Sequence, residues 1–357
     1  MTNATHFFLG ANSGQGFQNL FGKFCCDEDH YDLLVLKGGP GAGKSTMMRE
    51  IGLKMEKRGE RVEYFHCSGD PDSLDGISIP RIHTAIIDGT SPHIVEPRYP
   101  AAVDRYVNLG RFYNIAAAKA ARDEIVRSSD ACSEAYRRAY RTLNAALQVA
   151  DNAAVLASEG LDQRKLYRRT AGIISREIRG KGQGENQKYR FLGSVTWKGD
   201  IWRFDSVETL CPRVYHLYDT YGLAVPMLEQ ILMAAKERGY AAILCYDADH
   251  AGRIQHLLLP ELELAFVTVR SEMGCDLAAY RRIHIDAMIS ADHMKRWKGR
   301  LKFLRKLERT LHDEGIQILG EAKVAHDALE KIYRPYVDFA GVDELTEQEL
   351  SRIESYL

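Results

Sequence analysis

Hydrophobic and polar positions along the chain separate strands from helices before any chemistry is considered. "YDLLVLK" (Tyr31–Lys37) is a nearly unbroken apolar run, the pattern of a strand buried on both faces of a parallel sheet. A glycine-rich stretch follows, and then "STMMREIGLKMEKRG", which predicts an amphipathic helix. "RVEYFHC" (Arg61–Cys67) predicts a second strand and "SGDPDSLDGISIP" an acidic loop holding Asp70, Asp72 and Asp75. "IHTAIID" (Ile82–Asp88) predicts a third strand, ending on an acid. Residues 100–180 and 277–357 carry apolar positions at three- and four-residue steps, so both regions are expected to be helical.

The pattern then repeats. "FFLGANSGQGF" in the opening segment returns as "RFLGSVTWKGD", with Gly10 matched by Gly193 and Gly16 by Gly199. Further on, Met47 recurs as Met227, Ile51 as Ile231, Arg58 as Arg238, Gly59 as Gly239, Pro80 as Pro260 and Ala85 as Ala265, at one unbroken offset. The matched order of elements predicts an internal duplication. The expected fold is α/β: two tandem duplicated domains, each a parallel sheet flanked by helices with a helical appendage. The polar "RGKGQGENQK" (Arg179–Lys188) is the expected hinge, placing the domains at 1–186 and 187–357.

Chemistry enters at the first glycine-rich stretch. Gly38-Gly39-Pro40-Gly41-Ala42-Gly43-Lys44-Ser45 satisfies Gly-x-x-x-x-Gly-Lys-[Ser/Thr] between a predicted strand and a predicted helix. Glycines allow successive backbone N–H groups to converge on phosphate oxygens, and the following helix aims its positive end at the same anion. Lys44 is the expected cation for the β- and γ-phosphates, Ser45 the Mg²⁺ ligand, and Thr46 a further contact to an inner phosphate. Asp88, at the end of an apolar strand, is the expected second Mg²⁺ contact; a turn-capping aspartate before Gly89 is the alternative. Asp70 is a candidate general base, or else part of a solvated acidic loop. His66, His83 and His93 show no zinc-site spacing and are expected to be structural. Arg137, Arg138, Arg141, Arg168 and Arg169 are candidates for a lid, or simply a solvated basic face.

Bulk numbers exclude some classes and leave others. The 357 residues suit two domains, with 45% apolar and 27% charged residues. Forty-eight basic residues against forty-nine acidic ones give a net charge of −1, so charge makes no case for a nucleic-acid or membrane-surface partner. Seven cysteines without a Cys-x-x-Cys pair suit buried, reduced thiols. "MTNATHFFLGANSG" lacks the basic start and apolar core of a leader, and no run reaches the ~18 apolar residues of a membrane span. A cytoplasmic protein is expected.

On "HFFLGANSGQGF", "LKGGPGAGKST", "EYFHCSGDPDSLDGISIP", "AIIDGTSPHIVEPRYP", "LPELELAFVT" and "AKVAHDALEKIY", nearly the whole chain resembles a family of bacterial tandem P-loop proteins. Its members pass as ATPases or nucleotide-kinase-like proteins, with no substrate assigned. The resemblance implies ATP binding and phosphoryl chemistry. It also implies a P-loop in both halves, the second like Gly-x-Pro-Gly-Thr-Gly-Lys-Ser-Thr. This chain departs there. The repeat offset lays Tyr218-Asp219-Thr220-Tyr221-Gly222-Leu223-Ala224-Val225 on Gly38 to Ser45, so Ala224 replaces the lysine and Val225 the serine, while Thr268 replaces Asp88. Tyr218 and Tyr221 are expected to fill the phosphate space. One working site follows, binding ATP with Mg²⁺ and using Lys44, Asp88 and Asp70 for hydrolysis or phosphoryl transfer to an unknown acceptor. A nucleotide-gated switch, with the second half regulatory and a protein partner or second copy in contact, is the alternative. Absence of an Asn-Lys-x-Asp sequence favours ATP over GTP.

Overall fold

The structure, a computed structural model, describes residues 4–184 and 186–357. Met1–Asn3, part of the segment read above for a leader, and Glu185, within the expected hinge, lie outside the described residues. The first half runs β1 (Thr5–Phe7), β2 (Gly10–Ser13), β3 (Gly16–Asn19), α1 (Phe21–Asp27), β4 (Asp32–Lys37), α2 (Lys44–Lys57), β5 (Glu63–His66), β6 (Leu74–Ile79), β7 (Thr84–Asp88), β8 (Asp104–Asn108), α3 (Ile115–Ala120), α4 (Arg122–Ser158) and α5 (Gln163–Glu177). The second runs β9 (Gln187–Arg190), β10 (Gly193–Thr196), β11 (Gly199–Trp202), α6 (Phe204–Leu210), β12 (Arg213–Tyr218), α7 (Val225–Glu237), β13 (Ala242–Tyr246), β14 (Ile254–Leu259), β15 (Leu264–Val269), β16 (Ala279–His284), α8 (Ala291–Tyr333) and α9 (Phe339–Glu354).

The two halves build six-stranded sheets of the same order, β1-β5-β6-β7-β4-β8 and β9-β13-β14-β15-β12-β16. Neither is the all-parallel sheet expected: β6 and β14 pair antiparallel with both their neighbours. The segment expected to be an acidic loop contains β6, which places Asp75 inside a strand. The regions expected to be wholly helical open with β8 and β16, the edge strands beside β4 and β12. Both are short and half-exposed, so their alternation is too brief to stand out from the helical periodicity that follows. The hairpins β2–β3 and β10–β11 join in a third, four-stranded sheet through the antiparallel contact of Asn12 with Val195.

Strand alternation feeds separate cores. On β4, Leu33 and Val35 enter a core shared by both sheets, with Phe24 of α1 and Val207 of α6 between them. Leu34 and Leu36 point the other way, under Met48 and Ile51 of α2. On β12, Val214 joins the shared core while Tyr215 and Leu217 lie under Met227 and Ile231 of α7. β4 reads as an unbroken apolar run because both its faces are covered and β7 and β8 flank it.

The terminal helices are exchanged. α5 of the first half contributes Leu166 and Ile173 to the outer core of the second sheet, and α9 of the second contributes Val342, Leu345, Leu350 and Ile353 to that of the first. Burying each such side chain contributes about 1.5–3 kcal/mol. Two matched crossings hold the exchange: the amide of Asn114 donates to the carbonyl of Tyr336 at 2.7 Å, and that of Ser290 to the carbonyl of Gly160 at 2.8 Å. A cut between 186 and 187 therefore separates the sheets but not the cores. The intervening linker lies along the second half, where Gly182 donates to the carbonyl of Arg238 and Gly184 to that of Gly239.

α4 and α8 run antiparallel across both halves, with Leu143 against Gly315 and His293 bonded to the carbonyl of Leu156. All seven cysteines are free; Cys132, Cys211 and Cys245 are buried, whereas Cys26 is exposed, against the expectation of uniformly buried thiols. Among the described residues no helix is long and apolar enough to cross a membrane.

Candidate functional site

β4 delivers the chain to the loop of Gly38 to Gly43, and α2 carries it away. Gly41 and Gly43 take left-handed φ values of 70° and 89°, which a side chain would strain. Gly43 caps α2 without a side-chain acceptor, so the first-turn amides of that helix keep no internal anion. Ala42 is buried, Thr46 is exposed, and the other loop residues are half-buried.

Lys44 folds back over the loop. Its Nζ donates to the carbonyls of Gly38 at 2.6 Å and Gly39 at 3.0 Å and lies 3.5 Å from Asp88 Oδ2. Parallel pairing of β4 with β7, which sets Leu36 opposite Asp88, creates this meeting. The other oxygen of Asp88 accepts from the amide of Thr90 at 2.8 Å and its hydroxyl at 2.6 Å. Asp88 thus caps its turn through one oxygen, the alternative considered for it, and turns the other toward the lysine. Ser45 Oγ accepts from the amide of Leu74 at 2.9 Å.

Asp70 meets a different lysine: its carboxylate lies 3.6 Å from Lys323 of α8 and accepts from the amide of Asp72. A second buried pair was missed in the sequence. Asp75 on β6 and His93 approach to 3.3 Å, and both are buried. Burial alone lowers the basicity of His93, but Asp75 outweighs it and the net shift is upward. Asp75 Oδ2 and His93 Nδ1 lack hydrogen-bond partners, and His93 feels the charges of both Asp88 and Lys44. A lone carboxylate within the apolar "LDGISI" was the available signal. Arg137 and Arg138 pair with Glu134 and Glu321 on the exposed faces of α4 and α8, and Arg168 and Arg169 lie exposed on α5, which covers the other sheet.

The counterpart loop of the second half is occupied from within. Strand pairing sets Leu217 opposite Thr268 as it sets Leu36 opposite Asp88. Tyr218 therefore corresponds to Lys37, and Asp219 rather than Tyr218 to Gly38; one residue is missing before α7, which restores Ala224 to the place of Lys44. Tyr218 stacks on His284, with ring centroids 4.6 Å apart, and stays clear of the loop. The filler is Asp219, whose two oxygens accept from the amides of Leu223 at 2.8 Å and Ala224 at 2.7 Å. Asp219 is buried, which pushes its carboxyl above the usual range although these amides favour the charged form. A carboxylate takes the N–H groups that a phosphate would need.

No protein-family model, curated protein or solved structure matches the chain.

Proposed function

We propose that the chain is a P-loop NTPase that binds ATP with Mg²⁺ at Gly38–Thr46 and either hydrolyses it or passes its γ-phosphoryl group to a small-molecule or nucleotide acceptor. The observation that carries this is the 3.5 Å approach of Lys44 to Asp88 beside a glycine loop whose following helix has no side-chain cap. On this basis the two halves are duplicated P-loop domains of which one works.

The oxygen donors suit Mg²⁺: the Ser45 hydroxyl and the Asp88 carboxylate are hard ligands, and the Asp75 carboxylate, paired with His93, is a third of the same kind. Bound there, Mg²⁺ would neutralise charge on the β- and γ-phosphates. The loop amides would orient the phosphates, and Lys44 would exchange the carbonyls of Gly38 and Gly39 for phosphate oxygens. With Asp75 beside it, His93 is held to receive or hold a proton near the same carboxylates.

The test is ATP binding and consumption by the full chain with Mg²⁺ and with chelator, screened against nucleotides, nucleosides and hydroxylated metabolites beside Lys44→Ala. Turnover or Mg²⁺-dependent binding lost in Lys44→Ala supports the proposal. Absence of both in the unaltered protein refutes it.

A second possibility, an ATP-gated switch, draws on the exchanged elements. A Cβ on Gly41 would meet the backbone of Glu330 on α8, and one on Gly43 would meet Val342 of α9. The loop and the other half's helices thus share a surface. ATP-dependent hydrogen exchange concentrated in α9, with slow turnover, would favour the switch over an ordinary phosphotransferase.

A further inference from the structure

We propose that the second half binds a phosphorylated small molecule in a separate cavity, gripped by cationic side chains instead of a glycine loop. The cavity holds about 810 Å³ and lies between the ends of β12, β13 and β15 and the α4–α8 pair. Small-molecule sites span about 300–1,000 Å³. Thr220, Tyr221 and Gly222, from the loop that Asp219 fills, form part of its lining. The ligand therefore sits over that loop and not within it.

Arg253 bonds the carbonyl of Gly222 and Arg309 pairs with Asp313, but other cations of the lining are unspent. Lys298, Lys302, Arg305 and Lys306 of α8 fall on one helix face toward the cavity. Among the described residues, none of their charged ends has an ion-pair or hydrogen-bond partner. Across from them lies Arg270, two residues beyond Thr268 and hence at the place of Thr90. Its Nε is buried without a hydrogen-bond partner, and so is the indole Nε1 of Trp202, which lines the same space. A buried donor left unpaired costs about 1–3 kcal/mol, so two at one cavity point to an acceptor-rich ligand.

The cavity's acids are largely committed. His250 bridges Asp247 at 3.1 Å and Asp151 at 2.8 Å, His312 pairs with Asp200 at 3.0 Å, and Asp249 accepts from the amide of Gly14 at 2.7 Å. Burial raises the Glu308 carboxyl above its ordinary range, and Glu272 accepts from the hydroxyl of Ser271. Carboxylates and Lys/Arg side chains line the cavity in equal number, but the α8 cations stand apart as an unpaired row, and guanidinium forks such as those of Arg270 and Arg305 match phosphate geometry. Walls on both sides favour a small molecule over a nucleic-acid strand.

The experiment is calorimetric titration of the full chain with pyrophosphate, using the unaltered protein, Lys44→Ala, Arg270→Gln and the exposed double variant Lys302→Ala/Arg305→Ala. Lys44→Ala should retain one binding event, which separates this site from the P-loop. The double variant should weaken that event at least about tenfold, the loss expected for one or two charge-assisted contacts. Arg270→Gln should do the same, and the surface pair keeps the test valid if that buried change unfolds the chain. Loss of all binding in Lys44→Ala, unchanged binding in the double variant, or binding of a single-stranded oligonucleotide but not pyrophosphate would each overturn the proposal. Because Lys44→Ala removes only the P-loop, failure here leaves the ATP proposal untouched.

Discussion

The carboxylate of Asp219 accepts the amide hydrogen of Ala224 at 2.7 Å, and Ala224 is the residue that stands in place of Lys44. An internal carboxylate thus occupies the helix-start amides that a phosphate would take if this loop were a second P-loop. Asp219→Asn should destabilise the chain by about 1–3 kcal/mol, because the amide side chain can offer one oxygen where the carboxylate offers two. It should add no second equivalent of ATP, since counterparts of Lys44, Ser45 and Asp88 are absent. Thermal unfolding and ATP stoichiometry check both outcomes.

At the glycine loop, Lys44→Ala should lower any ATP turnover by about 10²–10³-fold, the usual loss when a transition-state charge partner is removed. Asp88→Asn should instead abolish the response to Mg²⁺ while leaving metal-free nucleotide binding closer to normal. Steady-state rates across a Mg²⁺ titration distinguish the two.

Removal of His93 leaves Asp75 buried without its cation. His93→Ala should cost about 3–5 kcal/mol, as breaking one side of a buried pair does. Replacing both, as Asp75→Asn/His93→Gln, should cost less than the single change. Denaturant unfolding of the three variants measures the coupling.

His250 fastens the loop after β13 to α4, and its bond to Asp247 raises its basicity to about 9 from the ordinary 6.5. A raised folded value means the clamp contributes fully below pH of about 6.5 and is lost as pH climbs through about 9. The difference in melting temperature between the unaltered chain and His250→Gln should be largest near pH of about 6. It should fade by pH of about 10, and a difference constant with pH would refute the clamp.

The glycine loop, β4, α2 and the recurrence of elements were legible because each depends on local residue type and spacing. Asp75 and His93 were not, since their meeting depends on the antiparallel turn of β6, which apolar content alone does not orient. Asp219 was hidden by a one-residue slip: the unbroken offset of conserved-looking matches carried Tyr218 onto Gly38, and only strand pairing with Thr268 resets it. Helix periodicity marked an apolar face on α9 but could not say which sheet it covers. Ile353→Ala tests that assignment. It should cost about 2–5 kcal/mol, and amide exchange should accelerate in β4 and α2 more than in β12 and α7.

The exchange of α5 and α9 makes the chain behave as an interlocked pair written on one polypeptide. Proteolytic nicking within 179–188 should leave two fragments that copurify, each holding the helix that seals the other. Either half expressed alone should expose the seat of its missing helix.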